Sequence, residues 1–261
     1  MEQLRKLQLL KSLVVALCAE RGIESPAEED ADKLWTMFRA LVNTRPPWPA
    51  DESFLAKQDE LLQGLIAEAG VHGVDEAAPS RADGRMRLWR GDITTFSADA
   101  IVNAANSQML GCWVPGHHCI DNAIHTYAGV QLRAECACIM EEQGHEEQTG
   151  SAKITGAYNL PVKHVIHTVG PIANGRPSDL HREQLASCYR SCLDLAADKR
   201  LRSIAFCCIS TGIFGFPQEE AARIAVQTAR GWFKKSGSAM AVVFNVFSED
   251  DEAIYRTLLE I

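Results

Sequence analysis

Apolar positions recur at helical spacing from the first residues: Leu4, Leu7, Leu10, Leu13 and Leu17 share one face. A second helix is predicted after Ser25-Pro26, with acids in its first turn, running through "DADKLWTMFRALVNTR" until "RPPWP" stops it. A third follows in "DESFLAKQDELLQGLIAEAG". Residues 1 to about 78 therefore read as helical throughout, and "VDEAAPSRADGR" reads as a linker. From residue 85 the period changes. "RMRLWRGDIT" alternates like a strand, and "ADAIVNAAN" holds a short buried strand. "CIDNAIHTYAGVQLRAECACIMEE" reads as one helix, and "AKITGAYNL" and "HVIHTVG" as strands joined by a turn at "LPVK". A helix in "REQLASCYRSCLDLAADK", a fully apolar strand "RSIAFCCIS", a helix from "PQEEAARI" onward, the strand "AMAVVFNVF" and a closing helix complete the chain. Strands alternating with helices predict an α/β fold whose largely parallel sheet is covered on both faces.

Composition narrows the function classes. The chain has 261 residues, 46% of them hydrophobic and 23% charged, which is ordinary for a globular protein. Its net charge of −8 gives no electrostatic reason to expect a nucleic-acid partner. A nucleotide ligand stays open, because backbone amides bind phosphates without net positive charge. The first apolar stretch is short and interrupted by Lys11, so it reads as an amphipathic helix and not a leader peptide. No apolar run approaches the roughly 18–20 residues that span a bilayer. Nine cysteines, an odd number without an export signal, point away from a disulfide framework and towards burial or metal binding in a cytoplasmic protein. Cys188 and Cys192, i and i+4 on a helix, read as one buried face.

Candidate chemistry sits where strands end, because open α/β sheets bind ligands beyond the carboxyl ends of their strands. Asp92 and Ile93 follow the first strand; Asp92 suits an exocyclic amine such as adenine N6, and equally suits a simple turn. Asn103 and Asn106, around "AAN", suit ribose hydroxyls or backbone bonding within their own loop. Ser210-Thr211-Gly212-Ile213-Phe214-Gly215 joins an apolar strand to a helix. Its glycines permit positive φ, its amides an anion nest and Phe214 an aromatic cover, although an ordinary turn has the same composition. It is neither a Walker A loop nor G-x-G-x-x-G.

Taken together, "GDITTFSADAIVNAANSQMLG", "IDNAIHTYAG", "TGSAKITGAYNLPVKHVIHTVGP" and "ISTGIFGFP" closely resemble the macrodomain family of ADP-ribose-binding modules and ADP-ribosyl hydrolases, over residues 85 to 261. The resemblance implies a three-layer α/β/α sandwich with a mixed central sheet over residues 81–261, preceded by a helical extension over 1–80. It places adenine at Asp92 and Ile93 and the distal ribose at Asn106. The diphosphate lies in the loop of Ser210, Thr211, Gly212, Ile213 and Phe214, and Cys119, Ile120 and Asp121 form the opposite wall.

One stretch departs from the common hydrolytic pattern. After Gly111, "CWVPGHHCIDN" replaces a flexible glycine-rich run and resembles the zinc-containing branch of microbial macrodomains. Cys112, His117 and Cys119 offer two thiolates and an imidazole, a donor set suited to Zn²⁺, and three ligands leave a fourth position open. His118 is the alternative fourth ligand, though its place beside His117 turns it away; a Cys112–Cys119 disulfide is the local alternative. The H-x-E and P-C-x-x-C signature of zinc nucleobase deaminases is missing.

The function this implies is zinc-dependent removal of mono-ADP-ribose from acidic side chains of proteins, with Asp121 and Asn106 as catalytic candidates. Asp121 would position the nucleophile or act as a base, or merely cap the "NAIHTYAG" helix. A non-catalytic ADP-ribose reader and an O-acetyl-ADP-ribose deacetylase are the competing readings. The implied partners are ADP-ribose and a mono-ADP-ribosylated protein; oligomeric state and the role of the helical extension are not legible.

Overall fold

The computed structural model describes all 261 residues. Three helices come first: α1 (Gln3–Glu20), α2 (Ala31–Asn43) and α3 (Glu52–Ala69). Asp30 and Asp51 cap α2 and α3 through their side chains, satisfying amides that a helix start leaves unpaired. Their apolar faces meet in a cluster of their own around Leu10, Leu13, Phe38, Leu61 and Leu62. Arg45, only 2% exposed, closes the "RPPWP" turn by pairing with Glu20 and donating to the carbonyls of Trp48 and Pro49. Ile66, near the end of α3, belongs to the larger core of the following layers, so the two cores touch.

Residues 74–85 are not a linker. Strand β1 (His72–Gly73) pairs with β4 (Phe96–Ser97), and β2 (Ala78–Pro79) adds an edge to the main sheet. Two residues are too few to show alternation, and Pro79 is tolerated because β2 lies on the edge. The remaining strands are β3 (Met86–Arg90), β5 (Ala100–Ala105), β6 (Ala152–Gly156), β7 (His164–Val169), β8 (Ser203–Phe206) and β9 (Ala241–Val246). The seven-stranded order is β2-β3-β9-β8-β5-β7-β6. Its five central strands are parallel, and the edge strands β2 and β6 run antiparallel, so the sheet is mixed.

Helices α4 (Ile120–Ala128), α5 (Val130–Gln143), α6 (Asp179–Asp198), α7 (Gln218–Ser236) and α8 (Glu249–Leu259) flank the sheet. The single helix predicted over 119–142 is divided at Gly129, whose φ of 102° breaks it. β8 stops at Phe206, shorter than its apolar run; Cys207 is buried beyond it without joining the strand. Cys188 and Cys192 are both fully buried on α6. No helix is long and apolar enough to cross a membrane. What matters for function is that the parallel strands β5, β7, β8 and β9 all end on one side, where α4 begins.

Candidate active site

β5 delivers Asn103 into the core, and α4 begins opposite it. Cys119, not Asp121, is the N-cap of α4: its Sγ accepts from the Asn122 amide at 3.4 Å. Asp121 is thereby freed from capping and turned inward, 5% exposed. Asn103 Nδ2 donates to Asp121 Oδ1 at 2.8 Å and also meets His167 Nδ1 at 3.1 Å. His167 Nε2 in turn meets Thr155 Oγ1 at 2.9 Å. Burial raises Asp121 to about 6, against the lowering effects of the Asn103 hydrogen bond and the Arg133 charge.

His125, one turn along α4, lies 3.6 Å from Asp121 Oδ1. Burial pushes its pKa well below 6.5, so this is a contact with a neutral ring and not an ion pair. Both ring nitrogens of His125 are buried without a hydrogen-bond partner. Gly111, at φ 79°, packs onto the same ring; a Cβ there would sit 2.8 Å from His125 Cγ.

The loop between β5 and α4 gathers the Cys and His side chains. The ligand atoms of Cys112, His117 and Cys119 all lie within 4.8 Å of one another, with Cys112 Sγ 3.5 Å from His117 Nδ1. His118 is exposed and outside this group. No disulfide joins Cys112 to Cys119. Two thiols and an imidazole at this separation fit Zn²⁺, whose bonds of about 2.0–2.3 Å draw tetrahedral ligands to within roughly 3.3–3.8 Å of each other. Burial holds the Cys119 thiol up at about 12, so a metal would have to displace its proton. A second His-Cys-His group, His125, Cys136 and His167, is fully buried, but His167 already spends its nitrogens on Asn103 and Thr155.

The remaining candidates divide. Asp92 is exposed and caps the 3-10 turn at Ile93–Thr95: its Oδ1 accepts from the Thr94 amide at 2.9 Å and from Thr94 Oγ1 at 2.8 Å. One carboxylate oxygen remains for a ligand. Ile93 is buried beneath that turn. Asn103 is fully buried and orients Asp121. Asn106 is tied into its own turn, donating to the Gly111 carbonyl at 3.0 Å and accepting from the Gln108 amide at 3.0 Å. A second Nδ2 hydrogen and a second Oδ1 lone pair remain beyond those two bonds.

In the Ser210–Phe214 loop the positive φ falls on Ser210 (66°) and Gly215 (64°), not on Gly212. Ser210 Oγ is buried with no partner, whereas Thr211 Oγ1 donates to the Cys208 carbonyl. The Phe214 carbonyl accepts from the Ala173 and Asn174 amides, which joins this loop to the one after β7. Ile213 is 74% exposed at its tip.

Arg39, Asn43, His125, Arg133 and His167 escape a reading of local sequence. His125 had a usable signal, four residues from Asp121. Arg39 and Asn43 had none, since their partners lie 73 to 83 residues away.

Comparison with known proteins settles the family. The Macro domain family profile matches residues 102–225. A curated protein-ADP-ribose hydrolase from Treponema medium is 53% identical over 257 residues, covering 98% of each chain. The chain belongs to the macrodomain family. Among solved macrodomains, that of Trypanosoma brucei in complex with ADP-ribose superposes with a TM-score of 0.65 at 32% identity, covering 85% of this chain and 94% of that one. The Oceanobacillus iheyensis macrodomain with MES bound gives 0.62 at 42% identity, over 67% of this chain and 90% of that one. The mixed sheet flanked by helices is thus the macrodomain fold.

Proposed function

We propose that this macrodomain is a zinc-dependent hydrolase that releases mono-ADP-ribose from acidic side chains of proteins. The observation that carries the reading is one juxtaposition: the Cys112, His117 and Cys119 group ends at the cap of α4, and Asp121 follows two residues later, held by Asn103. The Treponema medium relative, a protein-ADP-ribose hydrolase, supports the activity. The Trypanosoma brucei macrodomain, solved in complex with ADP-ribose, supports the choice of ligand.

The net reaction adds water across the ester between ribose and carboxyl group, giving ADP-ribose and the unmodified acid. Zinc, which Cys112, His117 and Cys119 would hold, would supply Lewis-acid polarisation of an ester oxygen. The chain supplies the rest. Asp92, through its second carboxylate oxygen, receives the adenine amine. The amides of residues 211–214 and the unpartnered Ser210 hydroxyl receive the diphosphate. Asn103 fixes Asp121 Oδ1, leaving Oδ2 to take a proton from an incoming water. A carboxyl near pKa 6 is a stronger base than an ordinary aspartate and still charged at neutral pH.

The test is release of labelled ADP-ribose from a protein modified on aspartate or glutamate, by wild type and Asp121→Asn, with free ADP-ribose binding measured in parallel. Loss of release with binding retained is the expected result. Binding without release of any ester-linked label by wild type would make the protein a reader.

A further inference from the structure

The three N-terminal helices do more than thicken the molecule, because α2 reaches the metal loop with polar side chains. Asn43, the last residue of α2, is 1% exposed. Its Oδ1 accepts from the Gly116 amide at 2.9 Å, and its Nδ2 donates to Thr126 Oγ1 on α4 at 3.0 Å. Arg39, one turn earlier, donates from Nη2 to Asn122 Oδ1 at 3.1 Å and approaches the His117 carbonyl at 3.4 Å. Asn122, fully buried, donates to the Val114 carbonyl at 3.1 Å. Thr126 Oγ1 closes the ring onto Asn122 Oδ1 at 3.4 Å.

These bonds hold the loop backbone at Val114, Gly116 and His117, all between Cys112 and Cys119. Arg133 of α5 fastens the entrance to the same loop. It donates to the Leu110 carbonyl and to the carbonyls of Val42 and Arg45 at the end of α2 and just beyond it, and stacks 4.3 Å over the Trp113 ring.

Packing alone does not account for this chemistry. A buried amide and a guanidinium whose Nε is left unpartnered are costly ways to seat a helix; apolar side chains would do it better. What the polar groups add is a fixed backbone for a loop that is otherwise only a short turn, His117 amide to Val114 carbonyl, with Gly116 at φ 64°.

We propose that Asn43 and Arg39 are positioning residues that hold the 112–119 loop in its ligand-gathering shape, so that the helical extension is a working part of the zinc site. The inference rests on the zinc reading above. Neither residue belongs to the Cys112, His117 and Cys119 donor group; each acts on the backbone of the loop that carries it.

The experiment measures zinc affinity of the full chain by competition with a chromophoric chelator, for wild type, Asn43→Ala, Arg39→Met and Arg39→Lys. Leu10→Ala, in the apolar core of the helical cluster, serves as a control for lost stability. Thermal melting of the metal-free proteins and calorimetric ADP-ribose binding accompany each variant. Asn43→Ala and Arg39→Met are expected to weaken zinc by about 10–100-fold. Arg39→Lys should recover most of the loss. Leu10→Ala should melt earlier and bind zinc like wild type. Wild-type zinc affinity in both Asn43→Ala and Arg39→Met overturns the proposal and leaves the zinc reading intact. Parallel weakening in Leu10→Ala overturns it as well, because general instability would then explain the effect. A wild type that takes up no zinc overturns both.

Discussion

Asn103 on the central strand β5 and Asp121 in the first turn of α4 are joined at 2.8 Å across 18 residues of chain. The bond is what allows a carboxylate to sit 5% exposed beside a neutral histidine. Removing it, as in Asn103→Leu, strands Asp121 without its donor. A loss of about 1–3 kcal/mol of stability is expected, because a buried acceptor is left unpaired. Release of ADP-ribose should slow at least about tenfold, since misplacing a reacting group by even a small distance is costly. Urea melts and single-turnover hydrolysis check the two parts separately. A variant with native stability and rate would remove Asn103 from the account.

Acid should destabilise the fold through its buried histidines. Burial lowers His167 to about 3, and His125 lies well below 6.5. The unfolded chain takes up these protons near 6.5 and the folded chain does not. Their contribution is therefore complete above 6.5 and is lost as pH falls from there towards 3. Asp121 works against them: raised to about 6 when folded, it favours the folded state as pH falls from 6 towards 4. Two groups outweigh one, so net stability should fall on acidification by about 1.4 kcal/mol per pH unit for each net proton. Denaturant melts between pH 6.5 and 4.5 in the presence of chelator measure this slope. His167→Gln should flatten it by about one proton; an unchanged slope would contradict the assignment.

One substitution separates the turn that Asp92 caps from the adenine contact proposed for it. Asp92→Asn keeps Oδ1 as the acceptor for Thr94 and so keeps the turn. It removes the charge offered to the adenine amine, and ADP-ribose affinity should drop by about 1.5–3 kcal/mol. Calorimetry with unchanged melting is the expected pair of results. Undiminished affinity would move the adenine elsewhere.

Gly215 permits the Ser210–Phe214 loop to lie against the loop that follows β7. At φ 64°, a Cβ would come within 3.1 Å of the Gly175 amide and 3.2 Å of Asn174 Cα. Gly215→Val should push the two loops apart and weaken ADP-ribose binding while zinc content stays native. Native affinity in that variant would show that this loop packing does not set the binding geometry.

The alternation of strands and helices after residue 85 was legible because each central strand is a short apolar run and each helix has a wet face. The edge strand Ala78–Pro79 was not: two residues carry no period, and only pairing with β3 makes them a strand. The break at Gly129 was masked because apolar positions continue on both sides of it. Cys112, His117 and Cys119 could be picked out because they crowd into one loop and their side chains meet locally. Asn106 illustrates the opposite case. Its side chain had two uses open to it, and local sequence could not show that the bonds to Gly111 and Gln108 fill one of them and leave a donor and a lone pair over. Arg39 and Asn43 show the limit of local reading, since their meaning lies in a loop more than 70 residues away.

The most direct test of the account is metal removal and return on one folded protein. Full-length protein purified without a metal-binding tag should carry one zinc, lose ester-linked ADP-ribose release on chelation, and regain it when zinc is added back. Calorimetry should show ADP-ribose still binding the metal-free form through Asp92 and the 210–214 loop. Metal-free protein that releases ADP-ribose at the native rate would contradict the central claim and leave Asp121 to carry the chemistry alone.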